Sequence, residues 1–176
     1  MTIRKFSIGL AIASILVLGI WLLGSVPQAM AETMNYKWFN RMTKMERFPI
    51  PDAEGHSVSL WVREGAIILN SGELAWIKTI GFSDATKGAG TLITYSILTF
   101  QDGSTIIQHR KGTQQATPAG VLSAVKQTGE IIHGTGRFQG IKGTVTTSSK
   151  LLPPEKEELS GKSLGEGTMV YTLPSK

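Results

Sequence analysis

No cysteine occurs anywhere in the 176-residue chain. That absence excludes disulfides, thiolate metal sites, thiol nucleophiles and a lipoprotein-type cysteine anchor. Histidine is nearly as scarce. His56, His109 and His133 stand far apart, and no two have the spacing of ligands on one helix face. A metal centre needs about three convergent ligands, so no metal and no cofactor are expected. The serines and threonines lack a G-x-S-x-G elbow and read as filler of exposed strand faces. Among the carboxylates, Asp102 belongs to a hairpin and Glu64 and Asp84 to loops, which leaves no case for a glycosidase-type carboxylate pair.

A block of like charge is also missing. The net charge of +5 is spread along the chain, with none of the clustered basic stripe and interleaved aromatics of a nucleic-acid binder. No nucleic-acid partner is expected. Long apolar runs are confined to one place, the N-terminus. Arg4 and Lys5 precede an apolar stretch from Ile8 to Leu23, and Pro27 precedes Ala29-Met30-Ala31. Small residues at the first and third positions of that triplet suit signal peptidase, predicting cleavage after Ala31 and export to the periplasm or beyond. The other reading is an uncleaved anchor, which would be the chain's only contact with a membrane. The expected organisation is therefore a signal peptide over 1–31 and one domain over 32–176. The mature domain keeps 16 basic and 13 acidic residues, a net of +3.

The mature part has the texture of antiparallel β structure: Thr, Ser, Gly, Val and Ile in abundance, and turn residues about every ten positions. Following a polar lead-in, Val58, Leu60 and Val62 alternate on one face. Leu74, Trp76, Ile80 and Phe82 do the same, with Lys78 interrupting them either at the rim or at an interior polar site. Thr91 to Phe100, the turn Gln101-Asp102-Gly103-Ser104 and a return strand from Thr105 to about Thr113 form the clearest hairpin, because Asp-Gly readily supplies positive φ. Further strands are expected near Glu130–His133, Lys142–Lys150 and Thr168–Leu173, while 121–125 is open between strand and helix. The fold class is all-β: a single antiparallel β-barrel of about eight strands, with a β-sandwich as the alternative.

The segment His133-Gly134-Thr135-Gly136-Arg137-Phe138-Gln139-Gly140-Ile141-Lys142-Gly143-Thr144 carries a G-T-G-R-F-x-G-x-x-G turn. With the preceding Asp-Gly hairpin, it resembles the small barrels of the allene oxide cyclase and dirigent type and the secreted bacterial proteins similar to them. The resemblance runs from Thr91 to Thr147. Gly134, Gly136, Gly140 and Gly143 suit a sharp barrel corner, Phe138 would cover the barrel end, and Arg137 would point outward or cap a carbonyl. The resemblance implies a central cavity for a hydrophobic or phenolic molecule. It also leaves room for a homo-oligomer, of which no interface can be read.

Trp61, Trp76, Tyr95, Phe100 and His109, with Trp38, are the candidate lining of such a cavity. On the return strand, Ile107, His109 and Lys111 alternate with Ile106, Gln108 and Arg110. One set faces inward, where polar groups would mark a ligand or water-filled space; otherwise the strand end has reached solvent. The first functional reading is a non-catalytic barrel that binds a small hydrophobic ligand or a partner protein. The second is a cyclase- or isomerase-like enzyme acting by enclosure, with His109, Arg110 and Glu73 as its polar participants.

Overall fold

The structure, a computed structural model, describes residues 30–117, 123–159 and 161–175. The proposed signal segment up to residue 29 lies outside them, as do residues 121 and 122. Within the unit Ala31–Pro174, eight antiparallel strands close into a barrel in simple chain order. They are β1 (Glu32–Pro49), β2 (His56–Leu69), β3 (Leu74–Thr86), β4 (Ala89–Phe100), β5 (Thr105–Ala116), β6 (Ser123–Gly134), β7 (Lys142–Leu151) and β8 (Ser163–Thr172). Pairing of β1 with β8, from Glu32 opposite Tyr171 to Asn40 opposite Ser163, closes the ring and leaves no sheet edge.

The expected β4–β5 hairpin is present, and Gly103 supplies its positive φ of 80°. Asp102 accepts hydrogen bonds from the backbone N–H and the hydroxyl of Ser104, fixing the turn. Two expectations are corrected. The polar lead-in is an 18-residue strand: Tyr36, Trp38 and Asn40 point inward while Lys37, Phe39 and Arg41 point outward, an alternation masked by the charged outer face. Glu64 and Asp84 lie on β2 and β3 rather than in loops. Glu64 faces outward there and pairs with Lys78 at 3.1 Å, which also places Lys78 outside.

The two ends of the barrel differ. At one end Tyr36, Trp38, Ile67, Ile77, Leu98, Phe100, Ile106, Ile131, Val145 and Met169 fill the interior as a continuous apolar core. The short 3-10 turn Gly136–Phe138 plugs this end. Phe138 is buried against Phe100, ring centres 4.8 Å apart. Arg137 lies over both rings at 4.8 Å and pairs with Glu73 at 2.5 Å and Asp102 at 3.7 Å. The glycine corner is tight: a Cβ on Gly134 would stand 2.4 Å from the Phe138 carbonyl oxygen, and one on Gly143 2.2 Å from that of Val170. Gly136 and Gly140 both have positive φ. At the other end, bounded by the β1–β2, β3–β4 and β7–β8 connections, the interior is hollow.

Candidate binding cavity

Eight strands give a barrel just wide enough to be filled by side chains or to hold one small molecule. What decides between these is the size of the inward residues. Towards the open end they shrink to Ser57, Ser59, Thr79, Ser83 and Ala85, leaving a cavity of about 500 Å³. That volume is within the range of small-molecule sites. Leu92, Val125 and Leu151 contribute apolar wall, and Met42 and Met45 of β1 add flexible apolar surface.

Two tryptophans shape this space, and each depends on a glycine opposite. The Trp61 ring lies flat on β3, where a Cβ at Gly81 would fall 2.1 Å from its Cζ2. Trp38 likewise covers Gly165, where a Cβ would meet its Cζ2 at 2.2 Å. Glycine is needed at both positions because the ring takes the space of a side chain.

Across the floor runs a belt of buried polar side chains: Arg63 on β2, Thr79 on β3 and Ser96 on β4 are successive cross-strand partners, and Arg110 on β5, opposite Thr94, reaches back to Ser96. The Thr79 and Ser96 hydroxyls are hydrogen-bonded at 2.8 Å, and Arg110 Nη2 donates to Ser96 Oγ. Arg63 Nη1 donates to the Gly161 carbonyl at 2.8 Å, and its guanidinium lies 5.8 Å from the centre of the Trp61 ring. Gln127 donates to Thr94 Oγ1 at 2.9 Å. Beneath the belt, Gln108 donates to Met169 Sδ at 2.9 Å and meets the Tyr36 hydroxyl at 3.4 Å.

The belt is cationic. Arg110 is 3% exposed and Arg63 4%, while Arg47 and Lys87 stand nearer the mouth. No aspartate or glutamate is among the described residues lining the cavity. Burial lowers the pKa of Arg110, partly offset by Tyr36, and brings that of Arg63 down to about 10; both stay protonated at neutral pH. Burial also raises the pKa of Tyr36 above its usual value, so its phenol is neutral and provides no counter-charge. Two buried polar atoms in the wall lack a hydrogen-bond partner, Arg110 Nε and Asn40 Oδ1.

Of the residues expected to line a cavity, the structure brings Trp61 and Trp38 to it, and Arg110 from the polar candidates. Phe100 is inside but at the closed end. Trp76 is 68% exposed on the outer surface. Tyr95 and His109 also face outward, stacked with ring centres 4.7 Å apart. Glu73 belongs to the closed-end cap, paired with Arg137. The reason is one of parity. Ile106, Gln108 and Arg110 take the inward positions of β5, which sends His109 out. On β3 the apolar set Leu74, Trp76, Ile80 and Phe82 faces solvent, while Thr79, Gly81, Ser83 and Ala85 face in, because the interior must leave room for Trp61. Arg63, Thr79, Ser96 and Asn40 were not anticipated; inward parity opposite Arg110 is the signal that finds them.

His56 sits at the rim. Asp52 holds its Nδ1 at 2.5 Å and Asp84 its Nε2 at 2.8 Å, clamping the β1–β2 connection onto β3. Hydrogen bonds that it donates to Asp52 and then to Asp84 raise its pKa above the usual histidine value.

Comparison with known proteins finds no matching family and no matching curated protein. Solved structures do match in fold. One is the structure of the pterocarpan synthase dirigent protein PsPTS1, with a TM-score of 0.51, 14% identity, and coverage of 85% of this chain and 99% of that one. A second is the pterocarpan synthase dirigent protein GePTS1, with a TM-score of 0.52, 14% identity, and coverage of 88% and 96%. This chain therefore folds as a dirigent-like eight-stranded barrel.

Proposed function

We propose that the protein is an exported, non-catalytic barrel that takes one small ligand with an apolar body into the open half of its interior. The observation that carries this reading is the hollow itself. Small inward side chains on β2 and β3 leave about 500 Å³ beside Trp38 and Trp61, where larger residues would have completed the core. The chemistry of the lining favours binding over catalysis. Among the described residues it offers guanidinium, hydroxyl and amide groups and the Lys87 ammonium at the mouth, but no histidine, carboxylate or tyrosine to transfer a proton near neutral pH. An enzyme acting by enclosure remains the second reading, and the buried Arg110–Ser96–Thr79 chain favours it, since fixed donors can stabilise developing negative charge. Such an enzyme would use Arg110 rather than His109 or Glu73.

Export rests on the segment over residues 1–31, and it is supported by the start of β1 at Glu32, directly after the expected cleavage point. Native mass spectrometry of protein recovered from its exporting host tests both parts. The expected result is a chain beginning at Glu32 that carries a non-covalent mass released on denaturation. A chain retaining residues 1–31 would overturn cleavage. A bare chain that also fails to bind N-phenyl-1-naphthylamine, a neutral dye bright only in apolar surroundings, would overturn ligand binding.

A further inference from the structure

A guanidinium in a barrel interior is costly unless something answers its charge. For Arg110 no carboxylate among the described residues lining the cavity does. Arg110 is almost wholly buried, donates to one hydroxyl, and keeps Nε without a partner. Arg63, one strand beyond the Thr79–Ser96 pair, adds a second buried cation to the same belt. Arg47 adds positive charge towards the mouth, where Lys87 is paired with Glu54 at 2.8 Å.

A purely structural role accounts poorly for this pattern. A structural arginine inside a barrel would be expected to saturate its five donors on carbonyls or to meet a carboxylate. Arg63 does reach a carbonyl, that of Gly161. Arg110 spends its contact on Ser96, a hydroxyl already engaged with Thr79. Above the belt Trp38, Trp61, Leu92, Val125 and Leu151 give apolar and aromatic surface, interleaved with the small hydroxyls of Ser57, Ser59 and Ser83. The cavity thus presents positive charge at its floor and an apolar, aromatic portion of wall beside it.

We infer that the ligand is an organic anion, entering head-first, with a carboxylate or sulfonate on Arg110 and Arg63 at the floor and its apolar body against Trp38 and Trp61. This rests on the ligand-binding reading above and adds the charge and orientation of the ligand. Arginine suits the task because its planar fork pairs with two oxygens of one acid group and is less strongly hydrated than an ammonium.

Matched dyes test the inference on the intact mature protein. 1-Anilinonaphthalene-8-sulfonate and N-phenyl-1-naphthylamine share an aromatic body and differ by the sulfonate. Arg110→Met keeps side-chain bulk while removing the charge. It should weaken the sulfonate dye by about 10- to 100-fold, the usual range for a charged hydrogen bond, and leave the neutral dye as tight or tighter. Trp76→Ser, on the outer surface, should change neither and so excludes binding to the exposed apolar face. Competition on the unaltered protein gives a second measure: 2-naphthoate should displace the bound dye at about tenfold lower concentration than 2-naphthylmethanol. Binding of both dyes without acid preference, or equal loss of both in Arg110→Met, would overturn the anion inference while leaving ligand binding in place. Binding of neither dye and no displacement by either naphthyl compound would remove both.

Discussion

The closed and open halves of the barrel are built on the same eight strands but filled by opposite rules. Towards the closed end, the inward positions carry Tyr36, Leu98, Phe100, Ile106 and Met169, and Phe138 plugs what remains. Towards the open end, the same strands present Ser59, Thr79, Ser83 and Ser96, and the largest inward groups are two tryptophans and two arginines. Apolar burial there is given up for volume and charge. Stability is thus concentrated at one end, whose packing holds the register of all eight strands, and the open end can then tolerate a hollow and an unanswered charge. Sites of this kind are where local rules of good packing fail for a functional reason.

The contrast can be broken most forcefully at the closed end. Phe138→Ala removes the plug against Phe100 and should cost about 3–5 kcal/mol in urea unfolding, as for other buried phenylalanines. Dye affinity in the folded fraction should stay the same. Loss of binding as well would mean that the two halves are not separable. Gly81→Val should have a smaller but more local effect. Its side chain would displace the Trp61 ring, costing about 1–3 kcal/mol of overpacking and abolishing binding of the neutral dye. Retained affinity would show that Trp61 is not a working wall.

Arg110→Met sharpens the comparison in the other direction. Replacing a buried charge by an apolar group of similar volume is often neutral or stabilising, so chemical denaturation should show between no change and a gain of about 1–2 kcal/mol. A loss larger than that would make Arg110 part of the scaffold. The smallest effect is expected at the rim. His56 binds its proton more tightly in the folded chain than in the unfolded one, because Asp52 and Asp84 both accept from it. Its contribution is complete below the unfolded value of about 6.5 and fades as pH rises through the raised folded value. Asp52, held below the usual carboxylate range chiefly by its hydrogen bond to His56, sets the acid limit, below which the clamp is lost again. The melting-temperature difference between the unaltered protein and His56→Gln should therefore shrink from pH 6 to pH 9. A constant difference across that range would mean that the clamp does not depend on the second proton.

Much of the scaffold was legible in the residues. The Asp102-Gly103 hairpin, the strand alternation and the glycine-punctuated corner before Lys142 each have a local cause, and each is where local causes put it. The first strand was not, because its outer face carries Lys37, Arg41 and Lys44 and hides the inward Tyr36–Trp38–Asn40 set. The site was legible only in part. Trp61 and Arg110 are in the cavity, but Trp76, Tyr95 and His109 are on its outer side.

Alternation assigns residues to two faces without saying which face is inside. On β3 the apolar face seemed the natural interior, yet it is the outer one. That choice is made by barrel closure, which admits only so much volume and gives the small residues of β3 to the Trp61 ring. By itself the sequence determined most of the strands, the Asp-Gly turn and the all-β class, since these follow from neighbours a few positions apart. Only the tertiary structure decided that Arg63 and Arg110, 47 positions apart in the chain, share one floor, because that depends on the register of four strands summed around a closed ring.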